Sequence, residues 1–76
     1  MARVYLKIEV EMGKERSVKE ALLKFDEVKG AELTTGGQDI LALIEADSFE
    51  DILQVVVDKL RTLKGIKNTV TDLVLE

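Results

Sequence analysis

Seventy-six residues suffice for one domain and leave no room for a second core, so residues 1–76 are expected to form a single module. The chain has no cysteine and no histidine, which excludes disulfides and thiolate or imidazole metal sites. Its net charge of −4 opposes the phosphate neutralisation on which duplex DNA binding depends.

Residues 4–12 alternate strictly, with Val4, Leu6, Ile8, Val10 and Met12 on one face and Tyr5, Lys7, Glu9 and Glu11 on the other, which predicts a strand. Gly13 breaks it. Val18, Ala21, Leu22 and Phe25 then recur at helical spacing. Val28 to Thr35 reads as a second strand, with Ala31 and Leu33 opposed to Gly30, Glu32 and Thr34, and Gly36-Gly37 supplies the positive φ angles of a hairpin turn. Ile40 to Ala46 is an almost continuous apolar run, the pattern of a strand covered on both faces.

Asp47-Ser48 marks a second helix start, with Asp51 three residues beyond Ser48 in the manner of a capping box. Phe49, Ile52, Leu53, Val56, Leu60 and Leu63 are its expected apolar stripe, and Gly65 its terminating glycine. Ile66 to Leu75 completes the chain as a strand, Thr69, Thr71, Leu73 and Leu75 alternating with Val70, Asp72 and Val74. The order βαββαβ with short connections predicts an α+β, ferredoxin-like fold, a four-stranded antiparallel sheet with both helices on one face.

Such a sheet leaves its second face uncovered. Either Leu41 and Leu43 or Ile40, Ala42 and Ile44 must lie there, joined by Val70 and Val74 or by Leu73 and Leu75. Leaving those aliphatics in water forgoes ~1.5–3 kcal/mol for each side chain that could be fully buried. A domain this small draws only roughly 3–5 kcal/mol from its own core. Stacking on a second copy addresses both, so a dimer or higher oligomer of the dimeric α/β barrel type is expected, with Tyr5, Lys7 and Glu9 giving its centre a polar, wet character.

The segment Thr35-Gly36-Gly37-Gln38-Asp39-Ile40-Leu41, followed by Leu63-Lys64-Gly65-Ile66-Lys67-Asn68-Thr69-Val70-Thr71, resembles the effector-binding (RAM) domain of the Lrp/AsnC transcription regulators. Gly13-Lys14-Glu15 opens the first helix in the same manner, so the resemblance spans essentially the whole chain. Gln38 departs from the family pattern, which often has an aromatic residue before the aspartate. The resemblance implies a stand-alone form without the helix-turn-helix domain, which senses an amino acid and acts on transcription indirectly, through full-length Lrp/AsnC-type regulators. It also implies an effector site between dimers, built from the hairpin turn.

An amino acid needs an anion for its ammonium group and donors for its carboxylate. Asp39 answers the first need, and the backbone N–H groups of Gly36-Gly37 the second. Thr35, Gln38, Thr69 and Thr71 are the further candidate contacts. Each has an ordinary structural reading beside this one: a hairpin turn for the glycines, a turn hydrogen bond for Asp39, strand propensity for the threonines. Asp47, Glu50 and Asp51 suit the N-terminus of the second helix rather than a metal.

No cofactor is expected. Catalysis is not expected either, because acid–base and nucleophilic work usually recruits histidine or cysteine and no triad or carboxylate pair stands out. The apolar runs are too short to cross a bilayer and Met1-Ala2-Arg3-Val4 opens without a signal-peptide core, which points to the cytoplasm. Two other readings stay open: a ligand-free assembly subunit of such regulators, and an ACT-like regulatory domain with Gly13 near its ligand.

Overall fold

The computed structural model describes residues 1–35 and 39–75. Its elements run β1 (Ala2–Val10), α1 (Glu15–Leu22), β2 (Val28–Leu33), β3 (Asp39–Ala46), α2 (Phe49–Asp58) and β4 (Ile66–Leu73), with a 3-10 turn at Leu60–Thr62. All strand pairs are antiparallel and the sheet order is β2-β3-β1-β4, the ferredoxin-like arrangement that the element order predicts.

Strand β1 is the central element. Ala2, Val4, Leu6, Ile8 and Val10 are buried beneath the helices, and every alternate residue is exposed. The strand ends before Met12, which is 81% exposed, because the backbone turns at Gly13 with φ +86°. The Glu11 N–H donates to the Gly65 carbonyl at 2.7 Å, which ties the end of β1 to the chain entering β4.

The two helices bury narrow stripes. Val18 and Leu22 anchor α1, and Phe25 packs on the core from the turn that follows. Helix α2 starts at Ser48, whose hydroxyl oxygen accepts the Asp51 N–H at 3.1 Å and so satisfies one of the helix's free amide donors. Its buried stripe is Ile52, Val55 and Val56. Leu53, assigned to that stripe from spacing alone, is 47% exposed. At 100° per residue Ile52, Val55 and Val56 bracket a single direction, and Leu53 falls on its flank.

Gly65 also differs from its expected role. Helix α2 ends at Asp58 and the 3-10 turn at Thr62, so Gly65 is not a helix-terminating residue. It has φ +97°, and a Cβ there would stand 3.0 Å from Lys14 Cβ and 3.2 Å from Val18 Cγ2. Only glycine permits both this backbone and the close approach of α1.

Strand β3 is covered on one face alone. Ile40, Ala42 and Ile44 are fully buried under the helices, whereas Leu41 is 37% exposed and Leu43 half-buried on the other side. The continuous apolar run therefore reflects two faces of different kinds, only one of which is covered within the chain. Among the described residues no polar or charged side chain is buried, so the core is held by aliphatic packing.

Candidate functional site

Register builds the open face row by row, since residues directly opposite in an antiparallel pair share a face. Lys7 lies opposite Leu41 on one side and Val70 on the other, and Glu32 lies beyond Leu41. The neighbouring row carries Gly30, Leu43, Tyr5 and Asp72. On the other side of Lys7 a third row carries Asp39, Glu9 and Asn68. Of the alternatives open from sequence, Leu41, Leu43 and Val70 thus take the open face, while Leu73 lies opposite Val4 on the helix side.

Asp39 is the first residue of β3 and closes the connection from β2. Its carbonyl oxygen accepts the Thr34 N–H at 3.1 Å and the Thr34 hydroxyl at 3.4 Å. The main chain of Asp39 is thus tied to Thr34, just past the end of β2, and among the described residues its carboxylate has no hydrogen-bond or ion-pair partner. Thr35 is exposed beside it. Gly36, Gly37 and Gln38, the other turn positions assigned to the effector, lie outside the described residues.

Two shallow hollows share Lys7 and Asp39 in their walls. One, of about 250 Å³, is bounded by Lys7, Glu9, Asp39, Asn68 and Val70. The other, of about 450 Å³, is bounded by Lys7, Thr34, Thr35, Asp39 and Leu41. Both are open to solvent and each is only half a wall. A surface laid against the sheet would close them.

Thr69 and Thr71 are not brought to Asp39 within the chain. They lie opposite Ile8 and Leu6, half-buried on the helix side of β4, whereas Asp39 stands on the open side. Lys7, Glu9 and Asn68 occupy the place beside Asp39 instead. Alternation places Lys7 and Glu9 on the polar face of β1, but their neighbour in β3 depends on register, which spacing along one strand does not carry.

A further hollow of about 480 Å³ lies between the start of β2, the end of β3 and α2. Asp26, Glu27, Glu45, Asp47, Asp51 and Asp58 line it, with Lys59 3.6 Å from Glu27. No group of acidic residues there has the spacing of a metal site among the described residues. It contains none of the turn residues, and size alone does not make it the better candidate.

A family model described as the Lrp/AsnC ligand binding domain matches residues 3–76. The uncharacterized HTH-type transcriptional regulator PF1231 of Pyrococcus furiosus is 33% identical over 66 residues, 87% of this chain and 45% of that protein. The chain thus spans less than half the length of the curated relatives it matches. Among solved structures, FFRP-DM1 has a TM-score of 0.92 at 32% identity, covering 99% of this chain and 100% of that one. AsnC of E. coli has a TM-score of 0.90 at 26% identity, covering 99% of this chain and 51% of that one.

Proposed function

Because the chain belongs to the Lrp/AsnC ligand binding domain family, we propose that it is the effector-sensing and assembly module of a transcription-regulatory system. The observation that carries this reading is the match of that domain to all but the first two residues. Its relatives are transcription regulators, and an amino acid is the ligand class that the turn chemistry suits. Residues 1–76 act as one such module in the cytoplasm, and reach DNA through Lrp/AsnC-type regulators with which they assemble. The net charge of −4 supports indirect action, since it disfavours contact with phosphates.

Asp39 receives the effector's ammonium group. The Gly36-Gly37 backbone receives its carboxylate, with Thr35 and Gln38 alongside. Thr69 and Thr71 lie on the far side of the sheet from Asp39, so they contact an effector held by a neighbouring subunit rather than by their own turn. The open face supports self-association, with Tyr5 43%, Leu41 37% and Val70 51% exposed around half-buried Leu43. A second copy stacked on that face closes the two hollows at Asp39. Binding and assembly are then coupled by mass action.

The test is thermal unfolding with each of the twenty amino acids at millimolar concentration. A ligand bound only by the folded state adds ~2.7 kcal/mol at a hundredfold excess over its dissociation constant. For a domain of this length that raises Tm by roughly 10–20 °C. The expected result is a rise with one chemical class of amino acid, lost in Asp39→Ala. A flat screen on a folded oligomer would remove the sensing function and leave a ligand-free assembly subunit.

A further inference from the structure

The two hollows at Asp39 differ in the charged groups that line them. Lys7, Glu9 and Asp39 all border the smaller one, together with Asn68 and Val70. The larger one lies beside Thr35 at the turn, and its charged walls are Asp39 and Lys7 alone. Thr34, also in that wall, already donates its hydroxyl to the Asp39 carbonyl at 3.4 Å, and Leu41 is apolar. Among the described residues Lys7 forms no ion pair, since the single pair within 4.0 Å joins Lys59 to Glu27.

We infer that the effector is an acidic amino acid, and that Lys7 selects it by binding the side-chain carboxylate. The inference rests on the effector reading above, in which Asp39 takes the α-ammonium group, and names the group that meets the other end of the molecule. Register sets the span. Lys7 lies opposite Leu41, and Asp39 is two residues from Leu41 along β3, so Lys7 and Asp39 are diagonal neighbours about 7–8 Å apart. An amino acid anchored at Asp39 and extended along that diagonal brings its side-chain end to the Lys7 ammonium, with Leu41 against its methylene groups.

Charge decides the class. Once Asp39 is occupied, the larger hollow offers a side chain one cation and no carboxylate, so a basic side chain meets like charge and an acidic one its opposite. Glu9 stands opposite Asp39 and outside the wall of this hollow, so it reinforces the ammonium end rather than the side-chain end. An aliphatic effector would cover the Lys7 ammonium without pairing it, and a charge withdrawn from water without a partner is costly. Lys7 is therefore the specificity-determining residue of the site.

The experiment is isothermal titration calorimetry of the wild-type protein, Lys7→Met, Lys7→Arg and Lys7→Glu with L-glutamate and L-aspartate, their amides L-glutamine and L-asparagine, L-leucine and L-lysine. Position 7 is exposed, and circular dichroism establishes that each variant is folded. Each amide matches its acid in shape, so the comparison isolates charge. The wild type is expected to bind an acidic amino acid at least roughly tenfold more tightly than its amide, as loss of a charged hydrogen-bond partner implies. Lys7→Met should erase that ratio by weakening the acid alone, Lys7→Arg should keep it, and Lys7→Glu should turn the preference toward L-lysine. A wild type that binds an amide, L-leucine or L-lysine at least as tightly as both acids, or a ratio unchanged in Lys7→Met, would overturn the role of Lys7 while leaving effector sensing intact. A wild type that binds none of the twenty amino acids in the thermal screen above would overturn the sensing reading and this inference with it.

Discussion

Replacing Gly65 by alanine adds one methyl group at a point where the chain enters β4 against α1. Two terms oppose it. The first is backbone: φ is +97°, and an L side chain in the left-handed region costs about 1–2 kcal/mol. The second is steric, because the new Cβ would stand 3.0 Å from Lys14 Cβ and 3.2 Å from both Lys14 Cγ and Val18 Cγ2. Val18 is 1% exposed and part of the core, so it has little room to yield, and overpacking of this kind costs about 1–3 kcal/mol. Gly13 separates the two terms: its φ is +86°, but a Cβ there meets nothing within 4 Å. Gly13→Ala should therefore lose about 1–2 kcal/mol and Gly65→Ala about 2–5 kcal/mol. Urea unfolding at one fixed protein concentration measures both, the concentration being held because association shifts apparent stability. Equal losses at the two positions would refute the packing argument at Gly65, and no loss at either would refute the backbone argument as well.

Three further outcomes follow from burial and capping. Ile52→Ala should lose about 2–5 kcal/mol in the same melts, whereas Leu53→Ala, one residue on, should stay within about 0.5 kcal/mol in the monomer. Ser48→Ala removes the acceptor for the Asp51 N–H and should lower stability by about 0.5–2 kcal/mol, with Ser48→Gly closer to wild type. Leu41→Arg places a charge at the middle of the open face and should abolish self-association in size-exclusion chromatography while the far-ultraviolet spectrum remains that of the folded chain.

Alternation in β1 and the spacing in α1 made most of the architecture legible from sequence, because burial on one face writes itself into a period of two or 3.6 residues. The Ser48 cap was legible for the same local reason. Helical spacing leaves the edges of a stripe undetermined, so it does not separate Leu53 from Val55, and packing against β1 and β3 decides in favour of Val55. Local spacing points to Gly65 as a helix terminator, because its contact with Lys14 and Val18 joins parts of the chain distant in sequence.

The candidate site was legible only at its turn. Thr35 and Asp39 stand out beside a glycine pair, but their neighbours Lys7, Glu9 and Asn68 come from two other strands. The separation of Thr69 and Thr71 from Asp39 is likewise a matter of register: Thr69 faces Ile8 and Asp39 faces Glu9, one residue along the same strand and on its other side. A shift of one residue in pairing would reverse that relation.

Sedimentation velocity of the purified protein, run with and without each amino acid, tests most directly the proposed coupling of effector binding to assembly. The expected result is a species at a multiple of the 8.5 kDa chain mass, whose distribution shifts with one chemical class of amino acid. A single 8.5 kDa species, unchanged by all twenty, would contradict both the assembly and the sensing function.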